Sequence, residues 1–126
     1  MRTFAGSSAE EQPRLVSDAQ GQLTLSVVSD GRLTLGGEVF QPRAGEPRGQ
    51  VYLARYDAAD GRHRWSRLLG NHTRFSTPFF TYGLAAQTEG AVVYGALMSG
   101  ESPHVVDDRT FTNQGTPDLL FLQLRP

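Results

Sequence analysis

Short runs in which apolar and polar positions alternate, separated by clusters of Gly, Asp and Pro, recur along this chain of 126 residues. Such period-two runs predict strands. The clearest is VYLARYD at 51–57, which sets Val51, Leu53 and Arg55 on one face and Tyr52, Ala54 and Tyr56 on the other. DAADG follows, and its Asp57, Asp60 and Gly61 tolerate left-handed backbone and cap turns with their own side chains. RHRWSRLLG then alternates again, with His63, Trp65, Arg67 and Leu69 against Arg62, Arg64, Ser66 and Leu68, so 51–70 predicts a hairpin. No run of ten or more residues carries helical periodicity, and SSAEEQ at 7–12 has room for one helical turn.

The pattern also repeats itself. AQGQLTLSVVSDG at 19–31 aligns with TEGAVVYGALMSG at 88–100, which sets Gly21 on Gly90, Leu23 on Val92 and Leu25 on Tyr94. TLGGEVF at 34–40 aligns with VVDDRTF at 105–111, and GQVYLARYD at 49–57 with PDLLFLQLR at 117–125. RTFAG at 2–6 stands ahead of the first unit as SRLLG at 66–70 stands ahead of the second. The units therefore run over 1–57 and 65–126, joined by a hairpin linker at 58–64.

Each unit predicts about four short antiparallel strands. The fold class read from this is all-β, either two four-stranded β-propeller-like blades or a β-sandwich or barrel. Hydrophobic residues make up 38% of the chain and Gly occurs 14 times, which suits short strands joined by tight turns rather than packed helices. A net charge of −1 gives no overall field to recruit nucleic acid or anionic lipid. With no Cys there are no disulfides and no thiolate metal sites. No stretch approaches the length of a membrane span, and MRTFAGSSAEEQ lacks an apolar signal-peptide core.

GQVYLARYDAADGRHRWSRLLG at 49–70, with its Tyr56-Asp57, Gly61, Trp65 and Gly70 spacing, resembles the repeat signature of bacterial SBBP-type β-propellers. SDAQGQLTLSVVSDGRLTLGG and AQTEGAVVYGALMSG are similar to the segment of that repeat leading into its Gly, so the resemblance covers about 14–126. Gln50 departs from the usual Asp, which Asp118 supplies in the second unit. The resemblance implies four-stranded blades set radially around a channel. It implies an extracellular or cell-surface location if the chain is a fragment of a secreted propeller; otherwise the expectation, with no signal peptide in the sequence, is a soluble cytoplasmic one. A blade needs a neighbouring sheet on each face, so two blades leave two open faces and a drive toward self-association or a protein partner.

Reaction chemistry is sparse, and the expectation is a protein that is not an enzyme and uses no cofactor. His63, His72 and His104 are too scattered for a zinc site. DAADG has Ala at the alternate positions where a calcium loop places ligands. Asp107 and Asp108 are neighbours on a predicted strand and point to opposite faces. No nucleophile elbow or phosphate-gripping glycine loop occurs. Arg62, Arg64 and Arg67 interleave with His63 and Trp65 as in a nucleic-acid grip, but Asp57 and Asp60 sit just before them, and a snorkelling outer strand is the simpler reading. NHTRFSTPFFTYG at 71–83 packs Phe75, Phe79, Phe80 and Tyr82 into a predicted loop, which can plug a gap between blades or line a sugar or partner surface. The expected function is a noncatalytic β-propeller repeat module acting as a structural or interaction scaffold, part of or assembling into a larger propeller; the alternative is a lectin-like, carbohydrate-binding domain. Its candidate ligand residues are Trp65, His72, Arg74, Tyr82 and His104.

Overall fold

The alternating runs form antiparallel strands in the computed structural model, which describes residues 5–6, 10–41, 50–71, 81–88, 90–98, 104–106, 109–112 and 118–125. In chain order the strands are β1 (Ala5–Gly6), β2 (Glu10–Ser17), β3 (Gln22–Ser29), β4 (Leu33–Thr34), β5 (Val39–Phe40) and β6 (Gln50–Asp57). They continue with β7 (His63–Asn71), β8 (Thr81–Ala86), β9 (Val92–Met98), β10 (His104–Val106), β11 (Arg109–Phe111) and β12 (Asp118–Leu124). The protein is all-β and antiparallel, and no helix among the described residues is long and apolar enough to cross a membrane.

A first meander, β2-β3-β6-β7, is extended past β7 by β10 and β11. A second meander has the order β12-β9-β8, and β1-β4-β5 form a small third sheet. The two meanders share a ladder. Leu23 lies opposite Tyr56 and Val27 opposite Tyr52; 69 and 68 positions on, Val92 lies opposite Leu124 and Ala96 opposite Leu120. Leu15 opposite Leu25 recurs as Leu84 opposite Tyr94, and Leu33 opposite Phe40 recurs as His104 opposite Phe111. The turns match as well. Gly21 N donates to Asp18 O as Gly90 N does to Gln87 O, with φ of 72° and 79°, the left-handed region that Gly enters without strain.

Alternation decides which side chains meet. Val51 and Leu53 face the second sheet and join Val28, Leu69, Tyr94, Ala96, Leu120, Leu122 and Leu124 in a core shared by both sheets. Tyr52, Ala54, Tyr56 and Val27 turn the other way, where Leu33, Leu35 and Phe40 of the β4-β5 hairpin cover them. Each side chain so buried is worth roughly 1.5–3 kcal/mol, so the shared core is what holds one sheet against the other. β2 and β8 run side by side as the first strands of their meanders.

Two local expectations change. Glu10–Ser17 is a strand, so Glu10, Glu11 and Gln12 are not part of a helical turn. Pro13 has no N–H to give a ladder, and it sits on the edge strand where the register shifts between Glu11 and Arg14. His63 does not share a face with Trp65. A bulge between the Arg55–Trp65 and Tyr56–His63 pairs leaves Arg64 unpaired and turns His63 toward Tyr56, whose ring it meets edge-on at 5.7 Å. The absence of a side chain at Gly37 makes room for that imidazole, since a Cβ there would lie 2.4 Å from His63 Cε1.

Candidate functional site

Because β9 and β12 alternate in register, the second sheet has one face packed on the shared core and one turned outward. Val92, Tyr94, Ala96, Leu120, Leu122 and Leu124 are buried. Outward stand Val93, Gly95, Leu119, Phe121 and Gln123, with Gly83 and Ala85 from β8. Leu119 is 62% exposed and Phe121 69% exposed. Their ladder counterparts in the first sheet, Val51 and Leu53, are 2% and 0% exposed. Gly83 and Gly95 contribute no side chains, so this outer face is hollowed into an apolar groove of about 270 Å³ bounded by Val93, Leu119 and Phe121. The Phe121 ring lies across Gly95, where an added Cβ would come within 3.3 Å of it.

The matching face of the first sheet shows how such a surface is covered. Thr24, Ser26, Val28, Val51, Leu53 and Arg55 are all buried there. At one end of the seam the Arg55 guanidinium pairs with the Asp18 carboxylate and donates to the Gly90 carbonyl of the second sheet's first turn. Asp18 is held ready for this, since its Oδ1 accepts the N–H groups of Gln20 and Gln22, each at 2.9 Å. Gln20 Nε2 donates across the same seam to Thr88 O at 2.6 Å. In the second sheet Gln123 and Gln87 occupy the positions of Arg55 and Asp18, and Gln123 Nε2 donates to Gln87 Oε1 at 2.7 Å. An ionic latch in the first sheet is thus replaced by a neutral one in the second.

The arginines of β7 are engaged locally. Asp57, at the mouth of the β6-β7 turn, pairs with Arg64 and, at 3.5 Å, with Arg62. Its carboxyl is held below the usual carboxylate range, first by the hydrogen bond from Gln22 Nε2 and then by Arg64 and Arg62, while partial burial opposes the shift. Arg67 lies over the Trp65 ring, 5.3 Å from its centroid.

Of the expected ligand residues, Trp65 is half-buried against the shared core, and its indole N–H is buried without a hydrogen-bond partner. His72 and Arg74 lie outside the described residues, as do Phe75, Phe79, Phe80, Asp107 and Asp108. Tyr82 belongs to β8 rather than to a loop, and His104 opens β10 opposite Phe111; the side chains of both lie outside the described residues. The structure therefore does not assemble Trp65, His72, Arg74, Tyr82 and His104 into one described site. Among the described residues, no three His, Cys, Asp or Glu gather as a metal-binding group.

Sequence reasoning missed Arg55 as a latch and missed Leu119, Phe121 and Gln123 as a surface. The signal was present in the repeat, because aligning 49–57 with 117–125 sets Leu119 on Val51, Phe121 on Leu53 and Gln123 on Arg55. No protein-family model, curated protein or solved structure matches this chain.

Proposed function

We propose that this chain is a noncatalytic β-repeat module of propeller type, working as a scaffold that joins further sheets through its open face. One observation carries the reading: Leu119 and Phe121 are more than three-fifths exposed where Val51 and Leu53 are sealed by the neighbouring sheet. Residues chosen for an interior and left on a surface mark an interaction site. The repeated ladder supports a tandem arrangement in which each sheet needs a neighbour on both faces.

Sedimentation velocity tests this. The wild-type chain associates as concentration rises, and Leu119→Asp/Phe121→Asp sediments as a monomer with an unchanged melting temperature. A wild-type chain that stays monomeric at every concentration, or a variant that associates equally, overturns the reading.

A further inference from the structure

Among the described residues, β1 is joined to a hairpin but to no meander, and β12 is joined to β9 alone. β1 pairs antiparallel with β4, Gly6 lying opposite Leu33, as β7 pairs antiparallel with β10, Gly70 lying opposite Val106 two positions further along the hairpin. β7, however, is also the fourth strand of the first meander, where Gly70 lies opposite Val51. β1 has no such neighbour among the described residues, its sheet being β1-β4-β5 alone. Conversely, β12 pairs with β9 only, and its outer edge has no partner among the described residues.

The exposed faces complement each other in the same sense. Leu84 packs from the second sheet into the shared core, whereas its ladder counterpart in the first sheet, Leu15, is 61% exposed. Leu23 and Leu25 beside it are only partly buried, while their counterparts Val92 and Tyr94 are 1% and 0% exposed. The part of the first sheet's face that the β4-β5 hairpin leaves open, around Leu15, Leu23 and Leu25, therefore repeats part of the surface that lies over Val51 and Leu53, and the Leu119–Phe121 face repeats the surface beneath it.

We infer that the occupant of the Leu119–Phe121 face is a second copy of this chain, docked head to tail. The Leu15–Leu25 face of that copy covers the groove, and its β1 lies along the free edge of β12. This rests on the scaffold reading above and adds the partner, its face and its register. Within the chain Gly70 lies opposite Val51, and β1 placed alike along β12 brings Gly6 within two residues of the position facing Leu119. Gln123, standing in the place of Arg55, faces the second copy's 18–21 turn, whose Gly21 is the counterpart of Gly90. Such a joint uses two different surfaces, so it propagates to a closed ring or an open array rather than stopping at a symmetric dimer.

The chain contains no Cys, so introduced thiols are the only ones present. Gly6→Cys chains carrying a size tag are mixed with untagged Leu119→Cys chains and treated with a short bismaleimide. The expected product is the mixed 6–119 adduct, at least tenfold over the 6–6 and 119–119 adducts. It is lost when Phe121→Asp is added to the Leu119→Cys chain. Leu15→Cys with Phe121→Cys supplies a second pair, expected to link in the same mixed sense, should Gly6→Cys disturb β1. A predominant 119–119 or 121–121 adduct overturns the head-to-tail inference and leaves the scaffold reading standing. Association in sedimentation without any of these adducts does the same. Absence of both adducts and association overturns both.

Discussion

Arg55 carries the clearest energetic consequence of the seam. Its guanidinium is 7% exposed, the Asp18 carboxylate it pairs with is 2% exposed, and the same guanidinium donates to the Gly90 carbonyl across the sheet boundary. Removing one member of a buried ion pair costs about 3–5 kcal/mol, because the other charge is left uncompensated. Arg55→Gln falls at the low end, about 3 kcal/mol, since Asp18 Oδ1 keeps two backbone N–H donors. For a domain of this length that lowers the melting temperature by roughly 10–15 °C. Neutralising both partners removes the stranded charge, and the second sheet holds its own Gln123–Gln87 pair at the same place. Asp18→Asn/Arg55→Gln, which keeps the turn's acceptor oxygen, therefore recovers more than half of the loss. The assay is urea unfolding of all four members of the cycle, followed by Trp65 fluorescence and far-ultraviolet circular dichroism. A cost below about 1 kcal/mol for Arg55→Gln, the range of an exposed pair, or a double variant no better than the single one, would refute the buried-latch argument.

Leu53→Ala, in the shared core, costs about 2–5 kcal/mol, while Phe121→Ala at the matching outward position changes monomer stability by no more than about 0.5 kcal/mol; chemical denaturation of dilute samples separates them. Gly90→Ala is more damaging than Gly21→Ala in thermal melts, because both have positive φ but only the Gly90 Cβ meets a neighbour, Arg55 Nη2 at 3.1 Å. Asp57 has its folded-state pKa depressed, so its contribution is fully present above the unfolded carboxylate pKa and is lost as pH falls through the lower folded value. Melting temperatures measured on descent through the acid range show that loss in the wild type, and Asp57→Asn lacks this component.

The hairpin at 51–70 was legible because alternation and turn chemistry agree there: Val51 and Leu53 pack one way, Tyr52 and Tyr56 the other, and Gly61 closes the turn with φ of 68°. β2 was not, since EEQPRLVS carries a Pro and little apolar alternation and is a strand because β3 offers it an edge. Tertiary pairing overrides local preference in such a strand. His63 was assigned to the wrong face because a bulge at Arg64 leaves no mark in a period-two pattern. For the site, sequence favoured aromatic and His residues in loops, whereas the unusual surface is made of ordinary Leu and Phe on a strand. The repeat alignment sets Leu119 and Phe121 on Val51 and Leu53, and their exposure set against that burial appears only in the fold.

If the β8-β9-β12 sheet is the equal of the first and is completed by contact, amide hydrogen exchange reads this at β12. At concentrations where the chain associates, Asp118–Leu124 amides are protected to within about tenfold of those in Gln50–Asp57. Leu119→Asp/Phe121→Asp releases the former and leaves the latter protected. Rapid exchange of β12 in the wild type at every concentration, unchanged in that variant, would contradict completion by contact.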